Sequence, residues 1–120
     1  MRFDHRGAIA IAQKNVDQSR SCLIHRSTGV DAEFTKAETL FKTSGSLSGE
    51  SEVFFQRGTM YHGLSQFEKA QDQLTLALNK SALLTNKYQH IRALQQSSFN
   101  RLYLGDYKQA TKEADNALTL

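Results

Sequence analysis

Residues able to do chemistry are few and scattered. Of the histidines, His5, His25, His62 and His90, only His25 stands near another soft ligand, in Cys22-x-x-His25. A zinc site needs three or four protein donors, so this pair predicts no metal. Cys22 is the only cysteine, which excludes an intrachain disulfide and leaves a nucleophile with neither an orienting third group nor a marked oxyanion hole. The sequence therefore predicts no enzyme. Gly58 and Gly105 lack the Gly-x-Gly-x-x-Gly and Lys-Ser/Thr contexts of phosphate loops, and no strand pattern precedes them. They read as packing and turn glycines, and no cofactor is expected.

The charge balance narrows the partner class. Lys and Arg outnumber Asp and Glu by 15 to 12, giving a formal charge of +3, but the basic residues never form a block. Nucleic acid is not an expected partner. The apolar run Ala8-Ile9-Ala10-Ile11-Ala12 is too short to span a bilayer and is soon followed by Lys14 and Asp17. With one cysteine and no membrane segment in view, a soluble cytoplasmic chain is expected.

The chain contains no proline, and apolar residues recur at spacings of three and four instead of alternating, which predicts an all-α fold. About Arg6 to Arg26 reads as one long helix or two short ones, with Ile9, Ala12, Val16, Ser19 and Leu23 on one face. Ser27-Thr28-Gly29 reads as a break, followed by a short helix over about Asp31 to Lys42. Small polar residues at 43–49 mark a second break. A helix then starts near Glu50, whose carboxylate suits the positive end of the helix dipole, and runs to about Leu64. Ser65-Gln66-Phe67-Glu68 has the form of a capping box, and Asp106-Tyr107-Lys108-Gln109 a looser version, so new helices are expected at both. Between them the turn is placed near Thr85-Asn86.

Three segments share a pattern. Phe34, Ala37 and Phe41 match Phe67, Ala70 and Leu74, which match Tyr107, Ala110 and Ala114; the later two add Ala77-Leu78 and Ala117-Leu118. An aromatic residue opening a helix plugs a hairpin, and alanines further along let two helices approach. The spacing from Ala37 to Ala70 is 33 residues, and from Ala70 to Ala110 it is 40.

Gly58-x-x-Tyr61, Phe67-x-x-Ala70 and Leu74-x-x-Ala77-Leu78 together resemble the tetratricopeptide repeat, and Gly105-Asp106-Tyr107-x-x-Ala110 resembles the turn and second helix of a further copy. Phe54 stands where the family has tryptophan, and the closing prolines are missing. The 40-residue period resembles the longer-helix variants of kinesin light chains, polarity adaptors and bacterial signalling regulators. The resemblance implies a right-handed α-α superhelix of about three antiparallel hairpins, with units at about 6–44, 50–84 and 87–120. In the third unit either the turn is two residues shorter or Arg101 replaces the signature tyrosine.

In the family, the first helix of each hairpin lines a concave groove that holds a partner peptide or helix. Counting back from Phe67 and Tyr107 assigns Phe55, Thr59, His62, Arg92, Gln95, Gln96 and Phe99 to that groove. The run Gln95-Gln96-Ser97-Ser98 reads either as groove lining or as a solvated face. Positions comparable to the chaperone-tail clamp of the family read Cys22, Arg26, Gln56, Arg92 and Gln96, which keeps too little of the clamp to expect that ligand. The resemblance implies a protein-interaction module or, alternatively, a sensory or regulatory segment of a larger signalling or transcription regulator. Because repeat stacks need a polar cap over their last unit, the apolar side of 116–120 is read as a sign either of a longer chain or of a homodimer through this helix.

Overall fold

The computed structural model describes residues 23–120, with side chains from Gly29 onward. Its described residues form α1 (Leu23–Ser44), α2 (Leu47–Gly63), α3 (Phe67–Ser81), α4 (Tyr88–Leu104) and α5 (Tyr107–Thr119), with no strand among them. The all-α class read from the periodicity holds. α2 with α3 and α4 with α5 form hairpins, α1 packs on α2, and α2 meets α4 directly. The first helices of the two hairpins thus lie side by side.

Three turns share one device. α1 ends with Gly45 at φ 74°, its N–H bonded to the Lys42 carbonyl and the Ser46 N–H to that of Phe41. α4 ends the same way at Gly105, φ 81°, with bonds to Leu102 and Arg101. This pairing satisfies carbonyls that the helix end leaves free, and it needs a left-handed residue, which glycine adopts without strain. α2 ends identically at Ser65, a non-glycine at φ 61°. That assignment corrects the expected capping box: Ser65 terminates α2, Gln66 is the N-cap of α3, and no side chain caps it. At the other two of these turns the following helix is capped by a side chain. Ser46 accepts from the Gly49 N–H at 3.0 Å, and Asp106 accepts from the Gln109 N–H at 3.3 Å.

The expected break at Ser27-Thr28-Gly29 is not there. α1 runs through it, so the short helix over 31–42 is the end of a longer one. A glycine inside a helix costs only about 1 kcal/mol, and burial of Val30, Phe34, Ala37 and Phe41 along one face outweighs it. The expected helix over 6–26 lies mostly outside the described residues.

Burial repeats at a constant interval of 40. Val30, Phe34, Ala37 and Phe41 correspond to Ala70, Leu74, Ala77 and Ser81, all buried. The interval of 33 between Ala37 and Ala70 joined similar residue types at different places in the packing. In the first helices of the hairpins, Val53, Phe54, Arg57, Gly58 and Met60 are buried, as are Ala93, Leu94, Ser97, Ser98 and Asn100. No residue is deleted in α4, and Arg101 takes the place of Tyr61. The equivalent positions Gly58 and Ser98 differ in side chain. A Cβ on Gly58 would meet Leu74 Cγ at 2.7 Å, whereas the equivalent Ser98 is accommodated in the buried seam and donates to the Ala110 carbonyl at 2.7 Å.

Polar clasps tie the helices at the seams. Arg57, 8% exposed, donates through Nη1 to Glu38 at 3.0 Å and Gln73 at 3.2 Å, joining α1, α2 and α3. Its Nε is buried without a hydrogen bond, and Asp31 Oδ1 lies 3.9 Å away. The corresponding Ser97 hydroxyl donates to buried Glu113, which also accepts from Arg101 Nε at 2.9 Å. Tyr61 donates to Asp31 at 2.9 Å, and burial followed by that hydrogen bond and the neighbouring carboxylate pushes its phenol up to about 12. It therefore stays a donor across the physiological range.

His90 lies 2.8 Å from the Ser81 hydroxyl, and burial, then the nearby Lys87 ammonium, lowers its pKa below the ordinary histidine value. The unfolded chain then takes up a proton that the fold refuses. Stability is present above about pH 6.5 and declines as pH falls towards the lowered value. His90→Gln should flatten the loss of melting temperature between about pH 7.5 and about pH 5.5. An equally steep loss in that variant would place the acid sensitivity elsewhere.

Candidate partner-binding face

Residues spaced by three and four bring one side of α2 against one side of α4, so a ladder of polar and aromatic contacts joins them. At its start, Gln89 Oε1 accepts from the Ser48 hydroxyl at 2.7 Å, and Gln89 Nε2 donates to the Ser48 carbonyl at 3.1 Å. One turn on, Glu52 accepts from Arg92 Nη1 at 3.1 Å and from Gln56 at 2.8 Å. The Arg92 guanidinium lies 4.3 Å from the Phe55 ring centre and 5.7 Å from that of Tyr88. A cation held over two aromatic faces is fixed in place while its remaining N–H groups stay available.

The far end of the ladder is an aromatic cluster. The His62 ring lies 4.8 Å from both Phe99 and Tyr103 and 5.3 Å from Phe67, and Tyr103 stacks on Phe67 at 4.9 Å. Asn100, fully buried, sets the histidine. Its Nδ2 donates to the Phe67 carbonyl at 2.8 Å and to Gln71 at 3.0 Å, which leaves Oδ1 to face His62 Nδ1 at 2.8 Å. An amide oxygen only accepts, so His62 Nδ1 carries a proton and donates to it.

Of the seven residues assigned to a groove from the sequence, the structure brings Phe55 against Arg92 and His62 against Phe99. Thr59 gives its hydroxyl proton to the Phe55 carbonyl at 2.9 Å, so it offers an acceptor, not a donor. Gln95 is exposed, Gln96 is half-buried, and neither amide bonds to another described residue. The polar run of α4 is split: Ser97 and Ser98 are buried and bonded across helices, while the two glutamines face outward. Neither reading of that run holds for all of it. Phe55 is partly core, packed against Phe54, Ala77 and Ala93, whereas Phe99 is 46% exposed.

Sequence reasoning missed Glu52, Tyr88 and Tyr103. Their signal was available in the helical spacing, since 52, 55, 59 and 62 share one face of α2 and 88, 92, 95, 99 and 103 run along α4. Tyr88 and Tyr103 are 64% and 56% exposed, so three large rings, counting Phe99, meet solvent along α4. Elsewhere, an open hollow of about 430 Å³ lies on the outer side of α1, lined by Thr35, Lys36, Thr39, Leu40 and Thr43. Its one charged group, Lys36, lies 3.8 Å from Glu33, and no other titratable side chain among the described residues lines it. Among the described residues no three of His, Cys, Asp and Glu converge as a metal set, and no helix is long and apolar enough to cross a membrane. Compared with protein-family models, curated proteins and solved structures, the chain matches none of them.

Proposed function

We propose that the chain is a protein-interaction module of the tetratricopeptide-like kind, holding a peptide or helical segment of a partner along the α2 and α4 face. The observation that carries this reading is the pairing of exposed aromatic rings with unspent amide and guanidinium groups on that one face. Phe99, Tyr103 and Tyr88 supply rigid apolar area with little side-chain entropy to lose. Gln95, Gln96 and the free N–H groups of Arg92 match the carbonyls and N–H groups of an extended backbone. No covalent step is part of the proposal, and no cofactor is required. Support for the repeat architecture comes from the constant interval of 40 in burial and from the matched turns at Ser65 and Gly105.

A library of random linear peptides displayed on phage tests this. Peptides selected on the native chain should bind the Thr59→Glu, Gln95→Glu double variant at least about tenfold more weakly, because two carboxylates then crowd the face. The melting temperature should stay near that of the native chain, since Thr59 is half-buried and Gln95 exposed. Equal affinity for both proteins would place the peptide site elsewhere.

A further inference from the structure

A second surface has a different occupant. On α3, the stripe Phe67, Gln71, Leu74 and Leu78 is covered by neighbouring helices: Asn100 and Ser97 of α4 bond to Phe67 and Gln71, and Leu74, fully buried, packs at Gly58 of α2. Forty residues on, the same stripe of α5 reads Tyr107, Thr111, Ala114 and Leu118, and it is exposed among the described residues. Tyr107 is 64% exposed and Leu118 86%. Thr111 and Ala114 are exposed as well.

The stripe is large at both ends and small in the middle. Antiparallel pairing of two such helices about the midpoint sets Tyr107 against the partner's Leu118 and Thr111 against the partner's Ala114. Small residues at the centre allow close approach of the axes, and the large ones close over both ends. The flanking charges obey the same symmetry. Lys108 falls beside the partner's Asp115, and Asp115 beside the partner's Lys108. Neither has an ion pair with another described residue. A patch that complements itself in size and charge under a two-fold rotation is the signature of an isologous dimer interface. We infer that two copies of this chain pair antiparallel through α5, with Tyr107, Thr111, Ala114 and Leu118 at the contact and Lys108 and Asp115 fixing the register.

Sedimentation velocity on the full chain across a concentration series tests this, with circular dichroism melts to establish that each variant is folded. The native chain should shift from monomer to dimer as concentration rises. Lys108→Asp and Asp115→Lys, each alone, should weaken the dimer about tenfold, because each places like charges together twice. Combined, the two should restore an affinity near the native one. Lys108→Asp also puts an acid in the first turn of α5, where the helix dipole favours it, so a lost helix would not account for the weakening. A native chain that is monomeric throughout overturns the proposal, as does a dimer indifferent to either single change or a double variant as weak as the singles.

Discussion

Gly58→Ser should lower the stability of the fold by about 2–3 kcal/mol, the usual scale of overpacking a closely filled site. The new Cβ would lie 2.7 Å from Leu74 Cγ and 2.9 Å from its Cδ2. Leu74 is fully enclosed and cannot withdraw. In a domain of this size that amounts to a fall of about 10 °C or more in melting temperature. The more telling variant adds Leu74→Ala. That change alone should cost about 2–5 kcal/mol by leaving a cavity, yet in the pair the shortened side chain at 74 makes room for the new Cβ at 58. The hydroxyl introduced by Gly58→Ser would come within reach of the Ala70 carbonyl, which lies 3.3 Å from the Cβ position. The double variant should therefore be more stable than the sum of the two single effects by about 1 kcal/mol or more. Strict additivity would mean that Leu74 is not what excludes a side chain at position 58.

Arg57→Ala should be nearly as damaging. It removes the guanidinium that reaches Glu38, Gln73 and Thr35 together and leaves the 24%-exposed Glu38 carboxylate without that partner. Breaking one side of a buried pair costs about 3–5 kcal/mol. Asp31, 42% exposed, keeps access to water, so about 2–3 kcal/mol is expected here. Arg57→Lys should recover little, because a single ammonium cannot span three acceptors as the planar fork does. Adding Glu38→Gln to Arg57→Ala should recover part of the loss by removing a carboxylate whose one remaining cation is the exposed Lys42, 3.9 Å away. Chemical denaturation of the four proteins reads all of this, and a native-like midpoint for Arg57→Ala would show that the clasp contributes little.

These two sites also show what was legible in the sequence. Gly58, Ala70 and Ala77 announced close packing because a missing or minimal side chain at helical spacing has few other uses. Arg57 gave no such notice. Charged residues are read as surface unless a partner is visible, and its partners lie 16 to 22 positions away on two other helices. Ser65 misled for a local reason: Ser-x-x-Glu fits a helix start, but the three-dimensional need at that point was a left-handed residue to end α2. Gly29 misled in the opposite sense, since one glycine weakens a helix without stopping one that has a buried face. The interval of 33 arose from matching Phe34 to Phe67 by type, whereas burial pairs Phe34 with Leu74. For the proposed binding face, positions on α2 and α4 came from counting back from Phe67 and Tyr107, but which groups stay unspent could not be read that way. That depends on contacts such as Thr59 to its own helix and Arg92 to Glu52.

The central claim is that the side shared by α2 and α4 receives a partner segment. Backbone amide shift mapping during titration with a peptide selected on the native chain tests it most directly. The largest perturbations should fall at Phe55, Thr59, His62, Arg92, Gln95, Gln96, Phe99 and Tyr103, with the outer faces of α3 and α5 unmoved. Perturbations centred on α1 or on the outer faces of α3 and α5, with that set silent, would contradict it.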